Sequence, residues 1–185
     1  METFISVLRG INVSGQKKIL MADLKTLYEE LSFQNVTTYI QSGNVVFNTD
    51  SGLSNQDLAQ EIEKAIQLKY NFAVPVIIRK ATELAQVTAI NPFLKDGAID
   101  PEKLHVTFLA ETPQQRNLEK LNTYNFPPDQ FAVIGREVFL YIPERYGDTK
   151  LSNSFLENKL KIAATTRNWK TVQQLNAMAS LLPPE

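Results

Sequence analysis

Apolar positions change their period along this chain, and each change marks an element. Residues 3–8 form a short, mostly apolar run, the pattern of a strand buried on both faces. The spacing then turns helical: Leu20, Leu24, Leu27, Tyr28 and Leu31 share one face, while Lys25, Glu29 and Glu30 look away from it. Residues 36–40 and 44–47 are β-rich runs joined through Gln41-Ser42-Gly43, where glycine supplies the positive φ of a tight turn. Ser54 with Asp57 resembles a capping box and opens a helix whose stripe is Leu58, Ile62, Ala65 and Ile66. Residues 74–78 read as a strand, and Pro75, which has no N–H to donate, puts its start at the proline or the strand at an edge.

Strand, helix, strand, strand, helix, strand is the order of a ferredoxin-like unit. After a helix over 82–90, ended by Asn91-Pro92, the order recurs. Residues 104–109 read as a strand, and Thr112-Pro113-Gln114-Gln115 as a helix start with Thr112 at the N-cap. Runs 131–134 and 138–142 flank a hairpin turn at Gly135-Arg136. Ser154 with Glu157 opens a further helix, 162–165 is a short strand, and a last helix runs from Asn168 through Leu182. The pattern predicts an α+β fold of two ferredoxin-like (βαββαβ) halves packed together, 1–80 and 81–185, the second with extra helices and a C-terminal helix. Element order repeats between the halves, but no residue-level repeat is visible. Strands apolar on both faces imply that the sheet's open face is covered.

Composition narrows the chemistry more than it names it. The 185 residues are 43% apolar and 21% charged, an ordinary globular balance. No basic stretch followed by an apolar run opens the chain and no eighteen consecutive apolar residues occur, so neither secretion nor membrane insertion is signalled and the cytoplasm is the expected compartment. Without cysteine there is no disulfide, thiolate nucleophile or Cys-based zinc site, and His105 is the only histidine. A formal charge of −1 gives no global attraction to a polyanion.

Two segments carry candidate chemistry. Arg9-Gly10-Ile11-Asn12-Val13-Ser14-Gly15-Gln16-Lys17-Lys18 leaves a strand for a helix with two glycines and three cations, the makings of a phosphate loop. It fails the strict motif, because Gln16 stands where the lysine belongs and no Ser or Thr follows the lysines. Thr165-Thr166-Arg167-Asn168-Trp169-Lys170-Thr171 gathers polar, basic and aromatic groups at a helix start. There Asn168 suits an N-cap, Arg167 can fork onto a phosphate or carboxylate, and Trp169 offers a flat face, unless it lies on the helix's buried stripe. The turns 41–44 and 146–153 supply further amides and hydroxyls, which also serve turns themselves. His105, alone in a strand, reads as inert, and neither a nucleophile elbow nor a zinc-protease helix is present.

The segments Leu8-Arg9-Gly10-Ile11-Asn12-Val13, Tyr39 through Phe47, Lys150-Leu151-Ser152-Asn153 and Thr165 through Val172 together resemble the signature of a bacterial family known as domain-of-unknown-function family 1697. The resemblance implies a two-part α+β protein with ferredoxin-like halves and no established activity or cofactor. Lys170 departs from it, since an asparagine often stands there.

These segments fall on junctions and turns, where sites usually sit. The leading expectation is a cleft between the halves for a small anionic, phosphorylated or nucleotide-like metabolite. Its contacts would be Arg9, Asn12, Gln41, Ser42, Asn44, Asn153, Arg167, Asn168 and Trp169. Single-stranded nucleic-acid binding is the alternative, weakened by the missing aromatic run of an RNA-recognition strand. A scaffold or protein-interaction role without a small ligand is the third reading.

Overall fold

Eight strands and six α-helices make up residues 1–182, the part of the chain described by the computed structural model. In order they are β1 (Glu2–Leu8), α1 (Met21–Glu30), β2 (Gln34–Tyr39), β3 (Asn44–Thr49), α2 (Asn55–Tyr70), β4 (Val76–Lys80) and α3 (Ala81–Ile90). There follow β5 (Leu104–Leu109), α4 (Gln115–Leu121), β6 (Gln130–Ile134), β7 (Glu137–Tyr141), α5 (Asn153–Leu160), β8 (Ala164–Asn168) and α6 (Trp169–Leu181). The strands form two antiparallel four-stranded sheets, ordered β2-β3-β1-β4 and β6-β7-β5-β8. Both are the ferredoxin-like order expected from the periodicity, so the fold is α+β with a C-terminal helix. The chain divides into one unit of residues 1–86 and 174–185 and another of residues 87–173. None of the described helices is long and apolar enough to cross a membrane.

Alternation along the strands sorts each sheet into two faces. In the first unit Phe4, Leu8, Val45, Phe47, Val76 and Ile78 join Leu24, Leu27, Leu58, Ile62 and Ile66 of the helices in one core. Ile5, Val7, Val46 and Ile77, on the face away from those helices, are equally buried, as double-sided apolar strands require. In the second unit Leu109, Val138, Leu140 and Ala164 meet Leu121, Leu156 and Leu160 in the helix-side core. Val106, Phe108 and Phe139, on the reverse face, are fully buried.

Several element boundaries differ from the pattern. The helix expected from Thr112 starts at Gln115 with Gln114 at the N-cap, so Pro113 lies before the helix rather than in its first turn. The helix expected from Ser154 is capped instead by Ser152, whose hydroxyl accepts from the Phe155 N–H. β4 begins one residue after Pro75, consistent with a residue that cannot donate to a ladder. β8 is shifted to Ala164–Asn168.

Superposed by register, the two units do share residues, contrary to the sequence expectation. Arg79 lies opposite Ile5 and Arg167 opposite Val106, each at the fourth position of its unit's last strand. Each donates from Nη1 to the carbonyl of the residue before it, Ile78 or Thr166, at 2.9 Å. Ser54 and Ser152 cap the second helix of each unit, followed at once by Asn55 and Asn153. Both helices end on a left-handed residue, Asn71 or Lys161. Glu63 and Glu157 each accept the first N–H of the last strand, from Val76 and Ala164, at 2.8 Å. Different helix lengths put these pairs out of step along the chain, which is why no linear repeat is visible.

Candidate functional site

In the first unit the glycine loop is fastened to the β2–β3 hairpin. Asn12 takes a left-handed backbone, φ 56°, and its side chain imitates a peptide group. Nδ2 donates to Ile19 O at 2.9 Å and to Gln41 O at 2.8 Å, while Oδ1 accepts the Ile19 N–H at 2.9 Å. Asn44, fully buried, donates to Tyr39 O and Ser42 Oγ across the turn. Leu8 N–H reaches Gly43 O at 2.8 Å and Arg9 N–H reaches Pro75 O at 2.9 Å. Lys17 Nζ donates to Ala73 O. Arg9, Asn12, Gln41, Ser42 and Asn44 therefore gather at one end of the first unit's sheet, with the amides engaged in holding loop to hairpin.

Asn153, Arg167, Asn168 and Trp169 belong to the second unit. Asn153 Nδ2 donates to Ala164 O at 2.9 Å and its Oδ1 accepts from Thr166 Oγ1 at 3.1 Å, so the segments around Lys150–Asn153 and Thr165–Trp169 meet there. Arg167 also donates to Thr165 Oγ1. Burial pulls its pKa down from 12.5 to about 10, partly offset by Tyr146, and it stays a cation at neutral pH. Asn168 Oδ1 accepts the Thr171 N–H at 2.8 Å, the N-cap expected of it. Trp169 is 2% exposed, its ring enclosed by protein.

His105 stands in the same region and is less isolated than its sequence context implies. Tyr146 stacks on it with ring centroids 4.5 Å apart. Thr107 and Thr166, opposite one another in register, exchange a hydroxyl hydrogen bond of 2.7 Å beside them. Burial lowers the His105 pKa, partly offset by the Lys103 carbonyl, which favours the neutral imidazole. Burial raises the Tyr146 pKa against the opposing influence of Thr166, the Asn153 N–H and Arg167. The Tyr146 hydroxyl lies near these groups without forming a hydrogen bond of normal geometry, and His105 Nδ1 is likewise unsatisfied.

A basic cavity of about 330 Å³ in the second unit escaped the sequence reading. It is lined by Asn117, Lys120, Thr123, Tyr124, Asn158, Lys159 and Lys161, and so carries three lysines and no carboxylate. It opens where α4 and α5 end, yet the carbonyls there are met by other groups. Asn117 Nδ2 donates to Leu160 O, the Lys161 N–H to Glu157 O, and Thr123 Oγ1 to Lys120 O. The ammonium groups are therefore not needed as helix caps. Lys159 Nζ donates to Tyr124 Oη at 2.7 Å and lies 4.5 Å from the centre of that ring. Tyr124 continues into an aromatic group with Phe126 and Phe155. Only the short Lys159-Asn158 and Lys161 cluster was local enough to be seen in the chain; Lys120 and Tyr124 join it through folding. Among the described residues no cluster of three or more His, Cys, Asp and Glu could hold a metal ion.

Comparison with known proteins agrees with this architecture. The conserved bacterial protein SP0830 from Streptococcus pneumoniae superposes with a TM-score of 0.78 over 96% of this chain and 98% of that one, at 20% identity, which shows a shared fold. No curated protein matches the chain. The model of a family described as "Protein of unknown function (DUF1697)" matches residues 1–139, which takes in both first-unit signature segments, while Lys150–Asn153 and Thr165–Val172 lie beyond the matched span. With three quarters of its length covered, the chain belongs to the DUF1697 family.

Proposed function

We propose that the protein binds a small anionic metabolite of phosphorylated, nucleotide-like type, and that the lysine cavity of the second unit takes its phosphate. The supporting observation is the lining: Lys120, Lys159 and Lys161 with the amides of Asn117 and Asn158 and no opposing carboxylate. Lysines bind phosphate as point charges, and the amides add directional donors. Tyr124 forms one wall and presents aromatic surface to a base. Arg167, one of the two arginines named from sequence, donates to Thr165 Oγ1 and to the Thr166 carbonyl.

Calorimetric titration with inorganic phosphate, ADP and uncharged adenosine tests the reading. ADP is expected to bind best, phosphate more weakly and adenosine least. Replacing Lys120 and Lys161 together by Ala is expected to abolish binding of phosphate and ADP with the melting temperature nearly unchanged, since both side chains are exposed. Absence of heat with both anions, or unchanged affinity in the double variant, defeats the proposal.

Single-stranded nucleic acid is the second reading, supported by the half-buried aromatic group of Tyr124, Phe126 and Phe155 with Lys159 and Lys150 over their rings. Against it, the adjoining cavity of about 290 Å³ is lined by Asp129, Glu144 and Asp148 as well as Arg145 and Lys150, so a strand leaving the lysines meets carboxylates. Oligonucleotide titration at two salt concentrations separates the readings, because phosphate-driven strand binding must fall steeply with salt.

A further inference from the structure

A sheet edge that can still form hydrogen bonds invites another strand. Four strands, β2, β4, β6 and β8, lie at sheet edges. β4 and β8 are buried along most of their length. β2 is exposed but interrupted: Asn35 takes φ 52° and the register to β3 shifts between Gln34 and Thr37, a bulge of the kind that blunts an edge. β6 has no such protection. Gln130-Phe131-Ala132-Val133-Ile134 is regular in register with β7 over its whole length, contains no charge or proline, and is at least partly exposed throughout.

Register identifies which of its backbone groups face outward. The Ile142 N–H bonds Lys103 O and the Leu109 N–H bonds Arg136 O, so the even-numbered residues of β7 bond β5 and the odd-numbered ones bond β6. Glu137, Phe139 and Tyr141 pair with Ile134, Ala132 and Gln130, which leaves Phe131 and Val133 to aim N–H and C=O out of the sheet.

We propose that β6 pairs antiparallel with β6 of a second copy, about a two-fold axis at Ala132, joining two second-unit sheets into one. This centre is the register that uses both outward residues: Phe131 of each copy meets Val133 of the other in hydrogen-bonded pairs, and Ala132 faces Ala132 in a non-hydrogen-bonded pair. The flanking charges select a second copy in that orientation. Asp129 precedes the strand and Arg136 follows it, so antiparallel self-pairing brings unlike charges together at both ends, where parallel pairing would stack like on like. A five-residue seam is small against a standard interface, so the dimer is a concentration-dependent one.

The native chain lacks cysteine, which permits a clean crosslinking test. In a non-hydrogen-bonded antiparallel pair the Cα atoms sit about 4.5 Å apart, within disulfide reach. Ala132→Cys is expected to yield a disulfide dimer under mild oxidation many-fold faster than Thr37→Cys on the bulged β2 edge. Sedimentation equilibrium of the wild type is expected to rise from 20.9 kDa toward twice that mass with concentration. Val133→Pro, which deletes an outward N–H and no ladder bond, is expected to remain monomeric. A wild type that stays monomeric at every concentration, crosslinking of Ala132→Cys no faster than Thr37→Cys, or a folded Val133→Pro that still dimerises overturns the proposal.

Discussion

The first and second units have one topology and different interiors at the same place. Aligned through Arg79 and Arg167, Phe4 corresponds to His105, Ser6 to Thr107 and Ile78 to Thr166. In the first unit this region is an aromatic core. Phe4 stacks on Phe47 at 5.8 Å, Phe33 on Phe47 at 4.6 Å, and the Tyr28 hydroxyl, its pKa raised by burial, is satisfied by Ser6 Oγ at 2.7 Å. In the second unit the matching positions hold an imidazole and two threonines, roofed by Tyr146, with His105 Nδ1 and the Tyr146 hydroxyl unsatisfied. At two of the three positions the same chain holds an apolar residue, Phe4 and Ile78, so the fold does not demand the polar one there. Buried polar groups that a fold does not require are where sequence and stability part company, and such places are characteristic of functional sites.

The largest expected effect asks whether the two arginines do equal work. Arg79→Met and Arg167→Met each remove a buried cation and the hydrogen bond it gives to a strand carbonyl, Ile78 O keeping only a long bond of 3.5 Å from Asn55 Nδ2, and each is expected to cost about 3 kcal/mol. Urea denaturation measures both. A loss in one and not the other would break the equivalence of the units at its most similar point. The hairpin glycines come next. A methyl on Gly43, at φ +78°, would sit 2.6 Å from Ile11 Cδ1 and 2.8 Å from Leu8 Cβ, whereas at Gly135, φ +60°, its nearest neighbour is Glu137 Oε2 at 3.9 Å. Gly43→Ala is expected to cost about 2 kcal/mol or more and Gly135→Ala about 1, the difference being contact rather than backbone strain. Equal losses would show that strain alone governs both turns.

Local signals account for what the sequence revealed. The two-period strands, the hairpin glycines and the Ser54–Asp57 start depend on neighbours in the chain, and all reappear, with Ser54 Oγ accepting the Asp57 N–H at 3.2 Å. At Thr112-Pro113 the local grammar misled, because the helix starts further along, with Gln114 at the N-cap and no side chain capping it. The candidate-site residues were legible as types but not as partners. Asn12 binds across seven residues to Ile19 and across 29 to Gln41, and no spacing rule encodes such a pair. Lys120 and Lys161 line one cavity through the meeting of two helix ends, and the correspondence of Phe4 with His105 becomes visible only through strand register.

The smallest effect sharpens the comparison most directly. His105→Phe installs in the second unit the residue that the first unit has at the equivalent position. Desolvation holds the folded-state pKa of His105 below its ordinary 6.5, so the unfolded chain binds a proton more readily. Folding is therefore favoured above pH 6.5, and that advantage drains away as pH falls from 6.5 through the lowered folded value. The wild type should lose stability across that interval, and His105→Phe, with no group to protonate there, should lose less. Melting temperatures of both proteins from pH 7.5 down to 5 measure the difference. With the unsatisfied Nδ1 removed, the variant should also match or exceed wild-type stability at neutral pH. If the two curves fall in parallel, the imidazole is not the acid-sensitive group of the second unit, and its polarity has no cost that the first unit avoids.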